Sequence, residues 1–142
     1  ITTINSIGNG LVIDVEKECA VIAPKEGLGG LGGSIVKHTA LSNVYNFYKQ
    51  FIDTNIRIIG CGGVEKGSDV FEYLLAGACA VQIGTQFYRE NTKCFQRIEN
   101  ELIELMQKKN YTCLYDIYGI LACNDVFVKD KDEDEDEDEQ DE

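Results

Sequence analysis

Two short apolar runs that each end in glycine, with one helical stretch between them, constrain this chain more than any other feature of its sequence. The runs are Arg57-Ile58-Ile59, followed by Gly60-Cys61-Gly62-Gly63, and Ala80-Val81-Gln82-Ile83, followed by Gly84-Thr85. Both are short, β-branched and nearly continuous, as parallel strands covered on both faces are. Between them, Ser68 to Gly77 offers an N-cap at Ser68, a stripe of Val70, Tyr73 and Leu74, and a stop at Gly77. Strand, glycine-rich loop, helix, strand is a βαβ unit, and its crossover is right-handed.

A similar unit precedes it. Thr2 to Asn5 reads as the end of a strand, and Leu41, Val44, Phe47, Tyr48 and Phe51 recur at helical spacing before Arg57. Leu11-Val12-Ile13 and Ala20-Val21-Ile22 flank an acidic turn, Asp14 to Glu18, and predict a small hairpin. Phe95, Ile98, Leu102, Leu105 and Met106 predict a long amphipathic helix, and Tyr111 to Tyr118 a further short one. Strands alternating with helices give an α/β class with a parallel sheet. Tyr48 and Tyr73 read as core residues.

The glycines at the strand tips carry the chemistry. Gly62 and Gly63 let main-chain N–H groups approach an anion with no Cβ in the way. Gly84 and Thr85 offer another bare amide and a hydroxyl one unit later. Either turn alone would serve only a tight connection. Two in this order fit the phosphate site that loops after the last two strands of a (β/α)8 barrel commonly form. Asn5 and Ser6 set an amide and a hydroxyl at a strand end, where a polar planar ligand can be hydrogen-bonded. Gly27 to Gly33 holds five glycines in seven residues and reads as a loop forced close to a ligand or to another backbone. It is neither a Walker loop nor a Rossmann turn.

The 142 residues carry 25 acidic and 13 basic side chains, a formal charge of −12. Eleven of the acids lie between Asp130 and Glu142, so the body is nearly neutral. No phosphate-neutralising surface is available, which argues against a nucleic-acid partner. The run 130–142 cannot bury apolar surface and is expected to be a disordered tail, leaving 1–129 as the folded part. No segment has the roughly 20 apolar residues of a membrane span, and none resembles a signal peptide. The first residue is not Met, and the chain starts inside a predicted strand, so a partial chain is expected. Six cysteines without a C-x-x-C pair, and a single histidine, make a metal site unexpected. Cys61 and Cys79 lie in apolar or glycine-rich segments and are expected to pack as reduced thiols in a reducing compartment.

The string Ile4-Asn5-Ser6-Ile7-Gly8-Asn9-Gly10-Leu11 resembles the class 1A, soluble dihydroorotate dehydrogenases. So do Pro24-Lys25 with Gly27 to Gly33, Thr39-Ala40-Leu41, Gly60-Cys61-Gly62-Gly63-Val64, Gly77-Ala78 and Gln82-Ile83-Gly84-Thr85. The likeness runs in order from Ile1 to about Gly119. It implies the last three βα units of an FMN-binding TIM barrel, with a small hairpin inserted. It also implies a cytoplasmic homodimer that oxidises dihydroorotate to orotate in pyrimidine biosynthesis and passes electrons to fumarate.

By the same resemblance, Asn5 and Ser6 match residues that hydrogen-bond the dihydroorotate or orotate ring. Ile4 matches a residue at the flavin, Gly33 an FMN contact with Ser34 beside it, and Gly62, Gly63, Gly84 and Thr85 the clamp on the FMN phosphate. The family's cysteine base, which takes the C5 proton while hydride passes from C6 to flavin N5, is expected upstream of Ile1. No catalytic residue is therefore assigned here, and the isolated piece is expected to be inactive and to bind FMN weakly. Cys61 reads as a small residue packed under the cofactor; His38 and Lys25 receive no role. His38 and Lys66 depart from the family pattern, and the acidic tail lies outside it. The competing readings are another FMN-dependent barrel of pyrimidine metabolism and a truncated, non-catalytic module whose acidic tail binds a basic partner.

Overall fold

The computed structural model of the chain describes residues 1–123. The expected tail, 130–142, and the end of the expected body, 124–129, lie outside the described residues. In chain order the strands are β1 (Thr2–Thr3), β2 (Ile7–Leu11), β3 (Ile13–Asp14), β4 (Cys19–Ala20), β5 (Leu28–Leu31), β6 (Ile58–Cys61) and β7 (Ala78–Gln82). The helices are α1 (Lys37–Phe51), α2 (Gly67–Leu75), α3 (Thr85–Glu90), α4 (Lys93–Lys108) and α5 (Ile120–Cys123).

The predicted βα rhythm is present. β1, β6 and β7 form a parallel sheet in that order, with Thr3 opposite Gly60 and Cys61 opposite Gln82. α1 connects into β6, and α2 connects β6 to β7. Both helices pack on the sheet through the stripes that their sequences announce: Ala40 and Val44 on α1, and Val70, Tyr73 and Leu74 on α2, are buried. Ile58 is buried beneath them, as continuous apolar character in a covered strand requires.

Several boundaries differ from expectation. β6 includes Gly60 and Cys61, which were predicted to lie past the strand, and β7 begins at Ala78 rather than Ala80. α2 starts at Gly67, with Lys66 rather than Ser68 at its N-cap; Asp69 receives the free amides there. α4 turns Cys94, not Phe95, into the core, together with Ile98 and Met106. Tyr111 to Tyr118 holds only a 3-10 turn at Leu114–Asp116. The predicted hairpin exists as β3 and β4, extended by a bond from the Val21 amide to the Val12 carbonyl at 2.9 Å. Cys79 is exposed on β7 and so is not the packed thiol expected.

The larger surprise is β5. The glycine-rich segment was predicted to be a loop near a ligand or another backbone. Part of it is instead a strand, antiparallel to β2, with Leu11 opposite Leu28 and Gly10 opposite Gly29. The hairpin region leaves Val12, Ile13, Val15 and Val21 exposed, Val15 at 81%. No helix among the described residues is long and apolar enough to cross a membrane.

Candidate functional site

Because β1, β6 and β7 run parallel, their carboxyl ends share one edge of the sheet, and a cleft opens there. All eight binding residues expected from the sequence line it: Ile4, Asn5, Ser6, Gly33, Gly62, Gly63, Gly84 and Thr85. Val36, Cys61, Glu65 and Gln82 line it too, without having been singled out for binding. Gln82 lay inside a predicted strand, Ala80 to Ile83, and is the last residue of the strand that forms. Glu65 left no signal, since its place depends on how the loop after β6 turns. His38 and Lys25 are exposed and lie outside the cleft lining.

One side of the cleft is the loop after β6. Gly62 and Gly63 take φ values of +137° and +69°, which side-chain-bearing residues rarely adopt. A Cβ on Gly62 would come within 2.9 Å of the Ala40 Cβ, and one on Gly63 within 3.0 Å of the Gly33 carbonyl oxygen. The Gly62 carbonyl accepts a 2.6 Å bond from the Tyr73 hydroxyl. Burial pushes that phenol far up, with the nearby Cys61, Asp69 and Glu72 adding to it, so it stays a donor at any physiological pH.

Further along, Asp69 Oδ2 accepts from the amides of Glu65 (2.8 Å) and Lys66 (2.9 Å), and its Oδ1 accepts from Lys37 Nζ at 2.9 Å. Lys37 also pairs with Glu72 at 3.0 Å. Burial alone would raise the Asp69 carboxyl. Lys37 and the two amides outweigh it and hold the group below the usual carboxylate range. Burial likewise opposes the charge on Lys37, but Asp69 and Glu72 raise its pKa overall. The loop is therefore fixed by a buried ion pair and three main-chain bonds.

The other side is the turn from β7 into α3. Gly84 has φ −105°, ordinary for any residue, and a Cβ there would meet nothing within 4 Å. Thr85 is exposed, and its methyl lies 3.6 Å from the position a Gly33 side chain would occupy. At the mouth, Asn5 Oδ1 accepts from the Ser6 amide at 2.8 Å. That bond uses one of the oxygen's two lone pairs and leaves the two Nδ2 donors for a ligand. Bare amides on two facing turns, a hydroxyl and an amide group make a cleft suited to an anion joined to a polar ring.

A protein-family model described as dihydroorotate dehydrogenase matches residues 1–106. The chain is 51% identical over 121 residues to a dihydroorotate dehydrogenase (fumarate) of Saccharomyces paradoxus, covering 85% of this chain and 38% of that one. It is 50% identical over 121 residues to a dihydroorotate dehydrogenase A (fumarate) of Lactococcus lactis subsp. lactis, of which 39% is covered. Among solved structures, DHODH of Eimeria tenella in complex with ferulenol matches 65% of this chain and 24% of its own, with a TM-score of 0.59 and 30% identity. The ligand-free form from the same organism matches with a TM-score of 0.62 at 24% identity, a likeness of fold alone.

Proposed function

The chain belongs to the dihydroorotate dehydrogenase family, and from that premise we propose that it is the C-terminal three βα units of an FMN-dependent TIM-barrel enzyme of class 1A. The whole protein oxidises dihydroorotate to orotate with fumarate as electron acceptor, in the cytoplasm, for pyrimidine biosynthesis. The chain spans about two fifths of the length of the curated relatives it matches. The remaining barrel, and the base that takes a substrate proton, belong on this reading to the rest of the protein. A single observation supports it most. Eight residues chosen from sequence, scattered from Ile4 to Thr85, line one cleft at the carboxyl ends of parallel strands.

The residues fit the cofactor on a test independent of any name. Packing and backbone both demand glycine at 62 and 63. Neither demands it at 84, where a side chain would project into open space. A bare position that the protein itself does not need fits a site kept clear for a ligand. The amides of Gly62, Gly63, Gly84 and Thr85 would hold the phosphate, aided by the Thr85 hydroxyl, and Gly33 and Ile4 would line the site for the remainder of the nucleotide. Asn5 and Ser6 hydrogen-bond the substrate ring and fix its face relative to the flavin. When bound, the flavin supplies the hydride acceptor. The exposed apolar side chains of the hairpin region, among them Val12, Ile13 and Val15, provide a surface suited to the homodimer.

The test is orotate formation by the full-length protein with fumarate as acceptor. Wild type is expected to turn over and to copurify with FMN. Asn5→Ala is expected to lose about tenfold or more in kcat/KM for dihydroorotate, since a ring-orienting bond is removed. A full-length protein that binds FMN but makes no orotate would sink the substrate assignment. The 142-residue chain by itself is expected to make none.

A further inference from the structure

The two sides of the cleft come from different βα units. Pairing between β6 and β7 reaches Cys61 and Gln82, short of the amides at Gly62, Gly63, Gly84 and Thr85. Beyond those strand ends, strand pairing no longer sets the spacing of the two arms. Arg97, on α4 and outside the cleft lining, spans the elements that carry them.

Its Nη2 donates to the Glu65 carbonyl at 3.0 Å, in the loop that continues Gly62-Gly63. Nη2 and Nε also donate to the two carboxylate oxygens of Glu90, each at 3.0 Å, at the end of the helix that Thr85 begins. Nη1 donates to Glu101 Oε1 at 2.7 Å. The other oxygen of Glu101 accepts from the Gly67 amide at 2.8 Å, so the loop is held near its end at Glu65 and at the first residue of α2. Gln86, next to Thr85, donates to Glu90, and Arg89 reaches Glu65 at 3.3 Å. One planar guanidinium thereby joins the first arm, the second arm and α4. The task needs several donors in a fixed fork, which a lysine ammonium does not offer.

We infer that Arg97 is a positioning residue: from outside the cleft it fixes the separation of the two amide arms and so sets affinity for the phosphate end of FMN. The inference rests on the cofactor reading above. Arg97 touches no part of the nucleotide on this account, and its effect passes through Glu65, Glu90 and Glu101. A role in stability alone would lower the melting temperature and weaken every flavin alike. A positioning role acts on the phosphate selectively.

The experiment measures binding of FMN and of riboflavin, which lacks the phosphate, to the apo form of the full-length protein by flavin fluorescence. Wild type is expected to favour FMN. Arg97→Met is expected to lower FMN affinity by about tenfold, the scale of one charge-assisted bond, while riboflavin affinity stays within about twofold. Arg97→Lys is expected to recover only part of the preference. If Arg97→Met fails to fold, Glu90→Gln, which weakens two of the four bonds, is read the same way and is expected to lose several-fold of the preference. An unchanged ratio of the two affinities in the folded variant overturns the inference alone. A wild type that shows no preference for FMN over riboflavin removes the cofactor reading, and this inference with it.

Discussion

The two arms of the cleft use glycine for opposite reasons. At Gly62 and Gly63 the protein leaves no room: α1 stands behind the loop, Tyr73 grips its carbonyl, and the backbone is in a conformation that only glycine adopts at ease. At Gly84 the protein asks for nothing, since the conformation is ordinary and the surrounding space is open. The first arm is built by folding and is in place before any ligand arrives. The second is left uncrowded, which on the proposed reading keeps it clear for a ligand. A glycine-rich motif is thus not one kind of evidence: the surroundings of each position separate a structural glycine from a functional one.

Substitutions at the two arms should part sharply. The largest effect belongs to Gly62→Val, which strains φ and drives a Cβ into Ala40. A loss of about 3 kcal/mol is expected in urea unfolding, with flavin binding lost alongside. Next is Asp69→Asn, which strips Lys37 and the Glu65 and Lys66 amides of their carboxylate partner. About 2 kcal/mol is expected by the same measurement. Gly84→Val is expected to change stability by no more than about 0.5 kcal/mol, yet to weaken FMN roughly tenfold, or about 1.4 kcal/mol. Should Gly84→Val unfold like Gly62→Val, the contrast between the arms would be lost.

The smallest effect is in acid. The Asp69 carboxyl titrates below its ordinary value of 3.8 in the folded chain. Its contribution is therefore fully present above that value and is lost as pH falls through the lower, folded value. Urea midpoints taken downward from about pH 5 should fall less steeply in Asp69→Asn than in the wild type. Parallel curves would place the acid sensitivity of the fold elsewhere.

What was legible in the sequence follows from which forces are local. α1 and α2 were readable because each buries one stripe, and a stripe is a pattern within a single segment. β6 and β7 were readable as short, nearly continuous apolar runs ending in glycine, although β7 leaves Cys79, Ala80 and Gln82 exposed. β2 and β5 were not, since Gly8, Gly10, Gly29 and Gly30 carry no strand preference and the pairing is imposed by the partner across the gap. α3 is only six residues long, with a buried Gln86 and exposed Phe87 and Tyr88, so no apolar stripe announced it. In the cleft, Gly62, Gly63, Gly84 and Asn5-Ser6 could be named from their positions at strand ends, whereas Ile4 and Gly33 were named only through the family resemblance. The supports of the cleft could not be named in either way. Lys37, Asp69, Arg97 and Glu101 act through bonds between residues 32 to 34 apart in sequence, and nothing in a linear pattern marks such a pair.

The sheet itself has a consequence for handling this chain in isolation. Its outer strands, β1 and β7, are different edges that run in the same direction, and each presents main-chain groups with no neighbour in the sheet among the described residues. When one copy meets another, β7 of the first matches β1 of the second, an arrangement that repeats without end and lacks a two-fold axis to close it. Concentrated solutions of the bare chain are therefore expected to grow by head-to-tail stacking, visible as light scattering that climbs steeply with concentration. A scattering mass that stays constant on dilution would speak against it.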